Sequence, residues 1–268
     1  MDKKIGFIGC GNMAKAMING MLGSNLVDRE NIIVSAKSSE TLERIKKELG
    51  VLTTLENKKI AREVDILILA VKPYLYEDVL REIKEDIKEE VIVVSIGAGI
   101  SLDFLKKNLK DGSKFIKTMP NTPALVGEGM SAITLGENLL EQEIEDVLDI
   151  FKSFGKVEII DEKLMDGFTA ICGSSPAYIF MLIEAMADAG VREGIPRQMA
   201  YNMSAQAVLG SAKMVLERDE HPGRLKDNVC SPGGTTIEAV ISLEKGGFRA
   251  SIMQAVRECA IKSKSMKK

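Results

Sequence analysis

The segment IGFIGCGNMAKAMINGML, residues 5–22, restricts this chain more than any other stretch. An apolar run ends at Gly9, a second glycine follows at Gly11, and Ala14 stands at the start of a helical pattern. This is the G-x-G-x-x-G/A spacing in the strand–turn–helix setting that a dinucleotide-binding turn requires. Gly9 allows the tight turn, Gly11 lets backbone N–H groups approach a pyrophosphate, and Ala14 lets the helix lie close on the strand. In isolation the spacing also fits a purely structural glycine turn; its place at the first strand-to-helix turn of an α/β pattern favours the ligand. Ile8, Gly9, Cys10, Gly11, Asn12 and Met13 are therefore the first candidate cofactor contacts.

The pattern that follows supports this setting. Up to about residue 160, β-branched runs (KKIGFIG, NIIVSA, VDILILAV, VIVVSIGA, KFIKTMP, MSAITLG, VEIID) alternate with amphipathic helical stretches. Such alternation predicts a parallel sheet with helices on both faces, and the wholly apolar VDILILAV reads as a central strand covered on both sides. After Asp161 strand-like runs give way to long helical segments. The expected fold class is α/β: an N-terminal Rossmann-type doubly wound sheet over residues 1–160, then an all-helical domain over 161–268. In SSPAYIFMLIEAMADAG, Ser174 or Ser175 is the expected N-cap, Pro176 an early helical position and Gly190 the stop. Only Glu184 and Asp188 are charged within it, and QMAYNMSAQAVLGSAKMVL is similarly poor in charge. Helices this apolar need cover on nearly every side, which a homodimer provides; a well-packed monomer core is the alternative.

An open doubly wound sheet binds its ligand at the carboxyl ends of the strands. NIIVSA ends in SAKSS, with no acid to bind a ribose 2′-hydroxyl, because Asp28 and Glu30 precede the strand. Ser35, Lys37 and Ser38 offer a cation with hydroxyls, which suits a 2′-phosphate, so NADPH is the expected cofactor with NADH as the alternative. Lys37 also reads as a solvated surface lysine. Ala70, Val71 and Lys72 end the next strand, Ala98 lies in SIGAG at the end of another, and Asn121 and Thr122 in MPNTPA fall at a further strand end. Lys72 reads equally as a ligand contact or as a surface residue.

Composition removes several other readings. A net charge of -3 over 268 residues leaves no basic face for nucleic acid or anionic membrane. Four scattered cysteines and a single histidine, His221, give no metal-ligand spacing and little material for hydrolase chemistry. MDKKIGFIG is too short and too broken by glycine for a signal peptide, and no membrane-spanning helix is expected. The expected location is cytoplasmic.

CSPGGTTIEAV, residues 230–240, has two readings. Thr235 and Glu238 have capping-box spacing, while a helix start preceded by glycines also presents N–H groups and a positive dipole end to a carboxylate. Both are compatible. Cys230 reads as a packed thiol, since no base is evident nearby.

Taken together, GFIGCGNM, AVKP, MPNTPA, GSSPAYIFMLIEAMADAG, QAVLGSAKMVL and HPGRLKDNVCSPGGTTIEAVISLEKGGFRASI resemble the pyrroline-5-carboxylate reductase family over essentially the whole chain. The last block discriminates best, and the one mild departure is Ser174-Ser175 in place of the usual serine-glycine pair. The resemblance implies a cyclic imine substrate carrying a carboxylate, and NADPH or NADH as donor. It implies a dimer of interleaved helical domains, often assembled into rings of dimers, with the substrate loop of one chain facing the cofactor of its partner. It also implies that Asn57 lies near the adenine ribose, that Lys72 and Ala98 border the cofactor, and that Asn228, Gly233, Gly234, Thr235 and Thr236 surround the substrate. Thr236, with a hydroxyl able to hydrogen-bond the ring nitrogen, is the candidate catalytic residue. Hydride transfer to such an imine needs positioning rather than a strong acid. A hydroxy-acid dehydrogenase shares the glycine turn but needs an acid–base group, typically a lysine, on the helix after the first domain; PAYIFMLIEAMADAG carries none. A non-catalytic NADP-binding sensor is the remaining alternative, against which the second motif block weighs.

Overall fold

The structure is a computed structural model and describes residues 1–266. The chain runs β1 (Ile5–Ile8), α1 (Asn12–Gly23), β2 (Ile32–Ser35), α2 (Ser39–Leu49), β3 (Leu52–Thr54), α3 (Asn57–Glu63), β4 (Ile66–Leu69) and α4 (Tyr76–Ile83). It continues through β5 (Ile92–Ser95), α5 (Leu102–Asn108), β6 (Lys114–Met119), β7 (Gly129–Leu135), α6 (Glu141–Lys152) and β8 (Gly155–Ile159). Then come α7 (Met165–Phe168), α8 (Ser175–Arg192), α9 (Arg197–Glu217), α10 (Pro222–Val229), α11 (Thr235–Lys245) and α12 (Phe248–Ser265).

The sheet has the order β3-β2-β1-β4-β5-β6-β7-β8. Strand order reverses between β1 and β4, the switch point of a doubly wound sheet. Residues of β1, β2, β4 and β5 are buried on both faces, as their apolar runs require; β2 and β5 each end in a buried serine, Ser35 and Ser95. One core packs α1, α2 and α6 on the sheet through Met17, Ile45, Ile150 and Phe151. The opposite core packs α3, α4 and α5 through Ile60, Tyr76, Leu80 and Leu105.

The sheet differs from the sequence expectation in two places. β3 has no apolar run, only an exposed Leu52 and two threonines, because a short edge strand has little surface to bury. β7 runs antiparallel to β6, since the connection 120–128 is shorter than a parallel crossover needs. β8 then pairs parallel to β7.

Two compact units divide the chain. Among the described residues the first comprises Met1–Gly173 and 259–266; the second is Ser174–Glu258. The sheet ends where the sequence changes character near residue 160, but the next short helices belong to the same unit. Within that unit Ser263 Oγ donates to Asp166 Oδ1 at 2.9 Å and ties the end of α12 to α7.

In the second unit α8 and α9 form an antiparallel helical pair. Gly190 lies inside α8 rather than ending it: a Cβ there would stand 3.2 Å from the Cβ of Ala200, so the residue serves close packing. The helix ends at Arg192, and Gly194 follows at φ +90°. The single chain leaves Phe180, Met181, Met203, Leu209 and Leu216 more than half exposed. By length and composition alone, the helical run Glu162–Arg192 is apolar enough to cross a membrane. The same paucity of charge is what a helix buried between subunits needs.

Candidate active site

A cleft of about 860 Å³ opens at the carboxyl ends of β1, β2, β4 and β5. Gly9 makes the turn that forms its floor. Its φ is +89°, its N–H donates to Ser35 O at 3.0 Å, and an added Cβ would stand 2.8 Å from Ala70 O. Gly11 then N-caps α1 without any side-chain hydrogen bond, and no acid lies in the first turn. A Cβ at Gly11 would meet nothing within 4 Å, so the helix start faces open space. Uncapped N–H groups, a positive dipole end and room above them fit a pyrophosphate. Ala14, fully buried, holds α1 against the sheet.

Ile8, Gly9, Cys10, Gly11, Asn12 and Met13 line this cleft, as do Ser35, Lys37, Asn57, Ala70, Val71, Lys72 and Ala98. Ser38 does not. Its hydroxyl accepts from Thr41 N at 3.3 Å as the N-cap of α2, the local use that a serine before a helical run favours. Thr122 lines the cleft, whereas the buried Asn121 is spent internally: its Nδ2 donates to Cys172 O at 3.0 Å and its Oδ1 accepts from Met130 N at 2.8 Å. Burial pushes the Cys10 thiol up to about 11, with Lys15 opposing the shift, so the thiol in the turn is protonated at neutral pH.

Two residues of α4 that shape the cleft, Tyr76 and Glu82, carry no sequence signal. Tyr76, fully buried on α4, donates to Leu69 O at 2.6 Å and accepts from Ser95 Oγ at 3.1 Å. It thereby joins the last residues of β4 and β5, whose following turns supply Ala70 to Lys72 and Ala98. Burial raises its phenol well above the usual range. At the end of β2, Ser35 Oγ donates to Asn57 Oδ1 at 2.7 Å, and Asn57 Nδ2 donates to Glu82 Oε2 at 2.8 Å. Glu82 lines the cleft from α4.

The second candidate constellation lies in the helical unit. His221 N-caps α10, its Nδ1 accepting from Gly223 N at 3.1 Å, so the one histidine has a local structural task. Asn228 is exposed near the end of the same helix, its Nδ2 3.5 Å from Glu220 Oε2. Gly233 takes φ +66°, and Gly234 N donates to Ser231 O at 3.0 Å, closing a turn before α11. The N-cap of α11 is Gly234, and no side-chain hydrogen bond caps it. The Thr235–Glu238 capping box expected from the spacing is thus not formed, because the glycine turn starts the helix one residue early and makes Thr235 its first helical residue. The half-buried Thr236 stands in the same turn.

A doubly wound sheet with a glycine turn at its switch point, followed by a helical unit, defines a dinucleotide-binding protein. A family model for pyrroline-5-carboxylate reductase dimerisation matches residues 162–266, and one for coenzyme F420-dependent NADP oxidoreductase matches 4–99. The chain belongs to the pyrroline-5-carboxylate reductase family. It is 48% identical to a pyrroline-5-carboxylate reductase of Escherichia coli over 268 residues, the whole of both chains. Identity to the Methanosarcina acetivorans enzyme of that name is 43%, over 100% of this chain and 99% of the other. Among solved structures, Plasmodium falciparum pyrroline carboxylate reductase with NADP bound superposes with a TM-score of 0.90 at 36% identity, covering 100% of this chain and 99% of that one.

Proposed function

We propose that this chain reduces the C=N bond of 1-pyrroline-5-carboxylate with NAD(P)H to give L-proline, acting as a homodimer. The observation that carries this reading is the pairing, in one chain, of a dinucleotide cleft with a second helix start left uncapped by its own side chains.

Bound in the cleft, the nicotinamide supplies a hydride. Backbone N–H groups at the start of α1 hold the pyrophosphate, while Lys72 and Ala98 border the cofactor and Asn57 the adenine ribose. The N–H groups of Gly233 to Thr235 clamp the substrate carboxylate, with Asn228 beside them. The Thr236 hydroxyl hydrogen-bonds the ring nitrogen. A cyclic imine is basic enough to carry its own proton in water, so the chain needs no strong acid at this position, only orientation. The absence of lysine from α8 fits that economy.

The sequence division at residues 160 and 161 separates the two tasks, cofactor binding and substrate binding with dimerisation. In the dimer, the 228–236 segment of one chain serves the cofactor cleft of its partner, and dimers assemble further into rings, as the family resemblance implies. The apolar run Glu162–Arg192 serves subunit contact rather than a bilayer. A cytoplasmic location suits four cysteines that form no disulfide.

The test follows NADPH or NADH absorbance with 1-pyrroline-5-carboxylate added. Substrate-dependent oxidation of the dinucleotide is expected. No oxidation with this imine, alongside oxidation with a 2-keto acid, would replace the reading with a hydroxy-acid dehydrogenase.

A further inference from the structure

The end of β2 carries no acid, yet a carboxylate still reaches this part of the cleft, from α4. Glu82 lines it and accepts from Asn57 Nδ2 at 2.8 Å. The neighbouring Arg81 is turned away, towards Glu77 and Asp78, and among the described residues no Lys or Arg pairs with Glu82.

The donor inventory makes this contact directional. An ionised carboxylate only accepts hydrogen bonds, so it must face the Asn57 NH₂ rather than the amide oxygen. That fixes the amide, and Oδ1 then faces Ser35 at 2.7 Å. An amide oxygen also only accepts, so the Ser35 hydroxyl must spend its one proton on Asn57. What the buried Ser35 can offer a ligand is a lone pair. A phosphate dianion has acceptors and no donors, whereas a ribose hydroxyl can donate. Lys37 lines the same cleft and attracts a phosphate, but it is exposed, as Glu82 is, and solvent weakens both charges. The fixed direction of the buried hydroxyl then decides between the two ligands.

We propose that Glu82 is a specificity-determining residue: acting through Asn57, it makes Ser35 an acceptor, so the cleft reads a ribose 2′-hydroxyl and disfavours a 2′-phosphate. The proposal rests on the cofactor reading above and reverses the part of the sequence expectation that took Ser35 as a phosphate donor. Glu82→Gln removes the charge and also lets the Asn57 amide turn over, which frees the Ser35 proton.

The experiment titrates the substrate-free enzyme with NADH and with NADPH by calorimetry, in wild type, Glu82→Gln, Ser35→Ala and the double variant. Glu82→Gln should raise the ratio Kd(NADH)/Kd(NADPH) about tenfold, the scale of one hydrogen bond gained by the phosphate. In the Ser35→Ala background the same substitution should move the ratio by less than about twofold. An unchanged or lowered ratio in Glu82→Gln overturns the proposal, and so does an equal shift with Ser35 absent, which would make Glu82 a simple charge. Wild type that binds neither dinucleotide would overturn the cofactor reading itself; wild type that binds both, with an unresponsive ratio, would overturn only the role of Glu82.

Discussion

At Gly9 a methyl group would collide with the Ala70 carbonyl and also force a side chain into the left-handed region. Gly9→Ala should therefore cost about 1–3 kcal/mol of stability and abolish measurable dinucleotide binding, read by thermal unfolding and by titration. Thr236→Ala should lower kcat/KM by roughly 10–1000-fold while leaving dinucleotide affinity intact, as loss of one positioning hydrogen bond does; an unchanged rate would remove Thr236 from the reaction. Cys10 makes a prediction in pH. Its thiol rises to about 11 in the folded protein from an ordinary value of 9.0. In that window the unfolded chain loses a proton that the folded chain keeps, so stability is fully present below about pH 9 and is lost as pH rises through about 11. Cys10→Ser should flatten that part of the stability profile. Gly9 and Ala14 were legible in the sequence because their constraints act between near neighbours. The partners of Ser35 and Asn121 were not, since each is fixed by a residue on another element.

Among the elements, α4 shows how a cleft is shaped from behind. Tyr76 binds the ends of β4 and β5, and its ring fills the space beside Gly97 so fully that a Cβ there would come within 2.7 Å of it. Gly97→Ala should cost about 1–3 kcal/mol, and combining it with Tyr76→Leu should cost less than the sum of the single changes. Denaturant unfolding of the four proteins measures that coupling; strict additivity would mean that the contact is not felt. The apolar strands could be read directly because burial on both faces leaves an apolar run. β3 and the reversed β7 could not, because one has little to bury and the other owes its direction to the length of a connection. α11 carries a different lesson. The capping-box spacing was present, but two preceding glycines moved the helix start and left its N–H groups without a side-chain cap.

For the molecule as a whole, the split between a well-buried sheet unit and a helical unit with much exposed apolar surface follows from composition. The near absence of charge in α8 is itself the mark of a partner surface. Met181, 69% exposed in the single chain, tests that surface. Met181→Lys should shift the protein towards monomer in sedimentation and lower its unfolding temperature in a concentration-dependent way, whereas wild type stays dimeric. The sequence revealed the reaction more readily than the details of the cofactor's adenosine end, because the glycine turns are local while cofactor choice depends on a relay across three elements. The most direct measurement supplies NADH and, in parallel, NADPH, each deuterated at nicotinamide C4 on the face that is transferred, together with 1-pyrroline-5-carboxylate. One deuterium should appear in L-proline, on the ring carbon that was part of the C=N bond, and nowhere else. Proline formed without the label at that carbon, or no proline at all, would contradict direct hydride transfer to the imine.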